Sequence, residues 1–187
     1  MTASVALSGP IASGKTTTAH ALAEILRRPV VSFGDYIRQE AAARGLPGDR
    51  RQLQELGRSL ITDLGWTTFC TAAVRAAGIE PGETRLVIDG LRHIEALAAL
   101  RVLLAPDPVW LVFIAPGPDR RRGLLERDGL DPTEVARLEQ DATEREVMDG
   151  QLRRRADLIV GDMAGVHGAE RIAQWLRAQP DPRSPVA

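Results

Sequence analysis

The chain has 187 residues, a formal net charge of −1, 44% hydrophobic residues and 26% charged ones. That length suits one sizeable α/β domain rather than two, and the near-zero charge gives no global basic field for nucleic acid, so any affinity for phosphate must come from local clusters. The single cysteine, Cys70, excludes an intramolecular disulfide and a cysteine-based metal cluster, and no apolar stretch approaches a membrane span.

In chain order, short β-type runs alternate with helical stripes, the pattern of βαβ units around a parallel sheet. Strands are expected over 4–8, 30–33, 86–89, 109–115 and 157–160. Helical stripes fall on Ala19, Leu22, Ala23 and Leu26, then on Leu53, Leu56, Leu60 and Leu64. A third stripe holds Ile94, Leu97 and Leu104, and the last holds Val166, Ala169, Ile172 and Leu176. Residues 1–178 thus form one domain, with two connections longer than a normal crossover. The first, 35–81, is arginine-rich and broken by "GLPGD"; the second, 116–156, mixes Arg, Asp and Glu with weak periodicity. Insertions of this kind serve as substrate-binding arms and lids. The proline-rich end, 179–187, is expected to be disordered. The N-terminus lacks the form of a secretory signal, and a reduced, cytoplasmic location is expected.

The segment after the first strand, Gly9-Pro-Ile-Ala12-Ser13-Gly14-Lys15-Thr16-Thr17, satisfies G-x-x-x-x-G-K-[ST] at every fixed position. Such a loop curls so that successive backbone N–H groups face an anion, and the following helix N-terminus adds its partial positive charge. Lys15 is the only lysine among the 24 basic residues. A compact ammonium on a flexible stem enters a tight phosphate loop where a planar guanidinium does not fit easily. The expected ligand is ATP with Mg²⁺: Lys15 reaches the β- and γ-phosphates, and the Thr16 hydroxyl ligates the metal. Asp89 closes the third expected strand, where it either holds Mg²⁺ over the nucleotide crevice or caps the next helix. The loop beside it favours the metal role.

Beyond the second strand, Ser32-Phe33-Gly34-Asp35-Tyr36-Ile37-Arg38 resembles the S-T-G-D-x-x-R segment of adenylate-kinase-like nucleoside monophosphate kinases. Ile88-Asp89-Gly90-Leu91-Arg92 resembles their D-G-x-P-R segment, without the proline. The resemblance implies a three-layer P-loop kinase fold with a five-stranded parallel sheet, a helical acceptor arm and a helical lid. It also implies that Arg38 and Arg92 grip the phosphate of the acceptor, while Asp35 orients the acceptor or its arm. In the C-terminal half, "ERDGLDPTEVARLEQDA" and "ADLIVGDMAG" resemble dephospho-CoA kinases. By that likeness Arg127 folds over ATP in the transition state, with Arg120, Arg121 and Arg122 as weaker candidates. Asp162 either belongs to an adenine-holding loop or caps the final helix.

His20, His93 and His167 are scattered and show no metal-ligand spacing. Glu134, Glu139, Asp141, Glu144 and Glu146 read as ion-pair partners on an exposed lid. Trp66, Trp110 and Trp175 read as core or core-edge residues, Trp66 and Phe69 having stacking on an acceptor base as the alternative. The expectation is an ATP-dependent phosphotransferase acting on a small phosphate-bearing acceptor, a nucleoside or deoxynucleoside monophosphate in the first instance. Dephospho-CoA-like transfer to a hydroxyl, with Asp35 accepting the proton, is the alternative; an ATP-driven switch acting on a protein partner is the rival from another class. A guanine-reading N-K-x-D would need a second lysine, and no nucleic-acid or membrane partner is expected. The oligomeric state is not readable from the sequence.

Overall fold

A computed structural model describes residues 3–80, 82–127 and 150–180. Five parallel strands, β1 (Ser4–Ser8), β2 (Val30–Ser32), β3 (Val87–Asp89), β4 (Val109–Ile114) and β5 (Leu158–Val160), lie in the order β2-β3-β1-β4-β5. All five expected strands are present, β1 over the expected range and each of the other four shorter by one residue. β1 pairs with β3 and β4 in parallel register, Leu7 opposite Asp89 on one side and Val112 on the other. The chain therefore leaves β1 toward one edge of the sheet and returns to build the other. The carboxyl end of β1 is the switch point where open α/β sheets bind ligands.

Seven helices among the described residues cover the sheet: α1 (Lys15–Leu26), α2 (Phe33–Ala43), α3 (Arg50–Ala76), α4 (Ile94–Leu103), α5 (Pro118–Arg127), α6 (Gln151–Arg154) and α7 (Val166–Arg177). Side chains alternate across a strand, and the core divides accordingly. Val5, Leu7, Val112 and Ile114 face Leu22, Ala169 and Ile172 of α1 and α7. Ala6, Leu111 and Phe113 face the opposite core, with Leu60, Cys70 and Leu97 from α3 and α4. The result is the three-layer fold of P-loop kinases.

Three expectations need correction. Phe33 opens α2 instead of ending β2, because the Ser32 hydroxyl caps the helix by accepting from the Asp35 N–H at 3.2 Å. Leu64 is 39% exposed although its stripe predicts burial. The next residue, Gly65, takes φ 73° and ψ 163° and breaks α3 there, so the stripe of its first half stops short. Val166 is 57% exposed because it is the first residue of α7, where no neighbouring element covers it. Among the described residues no helix is long and apolar enough to cross a membrane. Within the expected tail, 181–187 lie outside the described residues.

Candidate active site

The phosphate loop follows β1 directly and runs into α1, with Gly14 as the helix N-cap. Gly9 stands at φ 150°, and a Cβ there would lie 2.5 Å from the Ile114 carbonyl oxygen, so only glycine lets the loop leave the sheet here. At Gly14, with φ 76°, a Cβ would lie 2.8 Å from that of Ala164. Ala12 also has positive φ, 54°, a conformation that non-glycine residues adopt mainly where the loop needs it. Lys15 is 9% exposed, and its Nζ donates to the Pro10 carbonyl at 3.1 Å, folding the ammonium back over the loop.

Thr16 Oγ1 donates to Asp89 Oδ2 at 2.8 Å across 73 residues of sequence. Asp89 is 5% exposed, and its other oxygen, Oδ1, is buried without a hydrogen-bond partner. A buried carboxylate oxygen left unsatisfied is costly, and such an orphan marks a place for an external group. A hydroxyl beside a carboxylate is an all-oxygen donor set, which fits Mg²⁺. The loop encloses about 140 Å³, lined by Ala12, Ser13, Gly14, Lys15, Thr16 and Thr17, with Leu124 and Arg127 of α5 on the far wall. Arg127 is therefore the lid arginine that the structure brings to the loop.

A second, larger cavity of about 480 Å³ lies beside Ile11 of the loop. Ile11 of the phosphate loop and Gly90 after β3 line it, together with Arg38 and Arg92. Asp35 is not in that lining. It is exposed and pairs with Arg38 at 2.5 Å, and the hydrogen bond from Arg38 holds its carboxyl below the usual carboxylate range. The geometry thus gives Asp35 a hold on Arg38 rather than a contact with the cavity. The same cavity takes in Arg50, Gln54 and Arg58 from α3 and His93 at the start of α4. None of these was singled out from sequence as a site residue. Their signal is the i, i+4, i+8 spacing of Arg50, Gln54 and Arg58 beside the apolar positions Leu53, Gly57 and Ile61. Trp66 and Phe69 also line the cavity, beside His93, whose ring centroid lies 5.0 Å from that of Trp66.

The base of α5 is tied down from two directions. The Gly117 N–H donates to Asp162 Oδ1 at 2.5 Å, and Arg120 Nη1 donates to the Asp162 carbonyl at 2.5 Å. Asp162 therefore caps the start of α5; the N-cap of α7 is Gly165, without a side-chain bond. Arg121 Nε donates to the Ile11 carbonyl at 3.2 Å, so α5 also grips the phosphate loop. Of the "RRR" run only Arg122 behaves as a solvated face residue, 69% exposed in its side chain and paired with Asp119 at 3.4 Å. The acidic residues Glu134, Glu139, Asp141, Glu144 and Glu146 lie outside the described residues.

A model of the AAA domain family AAA_17 matches residues 8–132, from the last residue of β1 to beyond Arg127. A UPF0200 protein of Aeropyrum pernix is 31% identical over 172 residues, which cover 89% of this chain and 87% of that protein. The chain belongs to this AAA domain family and to the UPF0200 proteins. Shikimate kinase from Acinetobacter baumannii, solved with shikimate, superimposes with a TM-score of 0.53 at 18% identity, covering 94% of this chain and 93% of that one. A sugar kinase from Janibacter sp. HTCC2649 gives 0.51 at 19% identity, covering 96% and 97%. These likenesses establish the P-loop kinase fold of this AAA domain protein. Its matched span holds the phosphate loop, Asp89, Arg38, Arg92 and Arg127 together.

Proposed function

We propose that this AAA domain protein is an ATP-dependent phosphotransferase that passes the terminal phosphoryl group of ATP to a small phosphate-bearing acceptor, a nucleoside or deoxynucleoside monophosphate. The observation that carries this reading is the presence of two unlike cavities on either side of one chain step. One is the pocket of the phosphate loop, lined from Ala12 to Thr17 and by Arg127; the other is an arginine-lined chamber whose wall includes Ile11, the residue next to Ala12. A hydrolytic switch needs only the first.

The backbone N–H groups of Gly9 to Thr16, with Lys15, bind and orient the triphosphate. Thr16 and Asp89 would hold Mg²⁺, which when bound neutralises charge on the triphosphate oxygens. Arg38 and Arg92 bind the acceptor phosphate by bidentate forks and aim one of its oxygens at the γ-phosphorus. A new P–O bond forms as the bond from the γ-phosphorus to the β–γ bridging oxygen breaks, and ADP leaves. An acceptor phosphate that is already ionised gives up no proton, so this route requires no general base. Arg127 answers the charge that spreads over the equatorial oxygens. Positioning and charge carry the reaction, as is usual for phosphoryl transfer.

The test is to incubate the protein with ATP and Mg²⁺ and a panel of ribo- and deoxynucleoside monophosphates, with dephospho-CoA as the hydroxyl-bearing alternative, following product by mass. Transfer to a monophosphate supports the reading. Transfer to dephospho-CoA alone selects the alternative, and phosphate release unaffected by every acceptor overturns both.

A further inference from the structure

We infer that Arg121 is a positioning residue for the donor nucleotide: from α5 it locks the peptide between Ile11 and Ala12 in the orientation that receives phosphate. The inference rests on the reading above only so far as the phosphate loop binds a nucleoside triphosphate.

Arg121 is half-buried on α5, and its Nε donates to the Ile11 carbonyl at 3.2 Å. The peptide that follows this carbonyl is trans. In a planar trans peptide the N–H points opposite to the C=O. Holding the Ile11 carbonyl toward Arg121 therefore aims the Ala12 N–H the other way. Ala12 lines the phosphate pocket, and a loop of this kind binds an anion by turning successive N–H groups toward it.

This orientation is one that Ala12 resists. At φ 54° it stands in the left-handed region, which a residue with a Cβ avoids unless its surroundings impose it. Rotation of the Ile11–Ala12 peptide about its long axis would carry Ala12 to negative φ and relieve the strain. Ile11 is 9% exposed and its packing fixes one end of the peptide, so this rotation is the change left open to the loop. The rotated peptide would put the Ile11 carbonyl where the Ala12 N–H now stands and present partial negative charge to a phosphate. A guanidinium on that carbonyl opposes the rotation with a charge-assisted hydrogen bond. It also polarises the peptide, which makes the Ala12 N–H the stronger donor.

The other two ties in this region do not do the same work. The Pro10 carbonyl accepts from Lys15 Nζ at 3.1 Å, but that ammonium is required at the phosphates once a nucleotide enters. The start of α5 is fastened separately, by the Gly117 N–H and Arg120 to Asp162. Arg121 is thus the contact through which α5 reaches the strained step of the loop.

The experiment titrates the non-hydrolysable analogue AMP-PNP with Mg²⁺ into the full chain by calorimetry, for the parent, Arg121→Ala, Ala12→Gly and the double variant. Arg121→Ala is expected to weaken binding about tenfold, the scale of one charge-assisted bond. Glycine takes positive φ without penalty and needs the lock less. In the Ala12→Gly background the same loss of Arg121 should therefore cost about threefold or less. Arg121→Lys keeps a cationic donor and should fall between the parent and the alanine variant. Affinity regained through a second substitution requires a folded protein, so the cycle separates a lost lock from a lost fold. An affinity of Arg121→Ala within about twofold of the parent overturns the inference. An equal loss in both backgrounds overturns it as well, by making Arg121 a plain tether of α5. The cycle reads binding alone: the expected pattern without phosphoryl transfer from ATP to any acceptor sustains the lock and overturns the phosphotransferase reading instead. A parent that binds no AMP-PNP overturns both.

Discussion

Asp89 divides its two oxygens between two tasks: Oδ2 accepts from Thr16, and Oδ1 is buried with no partner. Asp89→Asn keeps an acceptor for Thr16 and removes the charge. It is expected to raise the Mg²⁺ concentration for half-maximal ATP turnover by about tenfold or more, a loss on the scale of one charge-assisted bond. An unchanged Mg²⁺ requirement would contradict the assigned role. Cys70 shows the opposite logic, a polar group that burial silences. It is fully buried between α3 and α4, its Sγ faces the Ala96 carbonyl at 3.9 Å, and desolvation pushes its thiol up to about 12. The protonated form is the poor nucleophile, so the native protein at pH 8 should react with a maleimide far more slowly than the same protein in denaturant. Equal rates in the two states would show that the thiol is not enclosed. Asp89 was legible in the sequence from its place at the end of an apolar strand. The orphaned oxygen was not legible, because it depends on what packs around β3.

At the scale of elements, α3 decides the shape of the acceptor side. Gly65 breaks it at φ 73° and ψ 163°, and a Cβ there would meet nothing within 4 Å. The cost of a side chain at this position is therefore backbone strain alone, about 1–3 kcal/mol. Gly65→Ala should lower the thermal midpoint by several degrees; a midpoint unchanged within error would contradict the strained turn. The break also explains how sequence reading failed here. The stripe of Leu53, Leu56 and Leu60 predicts Leu64 as its next member, but a stripe reports a straight helix and carries no sign of where the axis turns. The strands fared better: each is a short apolar run, fully buried in the central β1 and β3 and only partly buried in the edge strands β2 and β5. Arg50 and Arg58 escaped notice because they reach the cavity only when α3 packs against α2 and α4. Arg121 and Asp162 were equally hidden, their partners Ile11 and Gly117 being 110 and 45 residues away.

For the whole molecule, the parallel strands place both halves of the site at their carboxyl ends. β1 delivers the phosphate loop, β3 delivers Asp89 and Arg92, and β2 delivers Arg38, while α5 crosses over with Arg127 and is anchored to the loop through Arg121 and Ile11. The donor and acceptor cavities meet at consecutive residues, Ile11 and Ala12, without sharing charged residues: Lys15 and Arg127 line one, Arg38 and Arg92 the other. That separation is the central claim, and Arg92→Ala tests it most directly once an acceptor is in hand. The measurement is the acceptor KM and kcat beside the ATP dissociation constant, for parent and variant. Loss of one charged hydrogen-bonding partner should raise the acceptor KM, or lower kcat, about 10- to 100-fold, with the ATP constant held within twofold. An equal loss of ATP affinity would place Arg92 on the donor side and contradict the account.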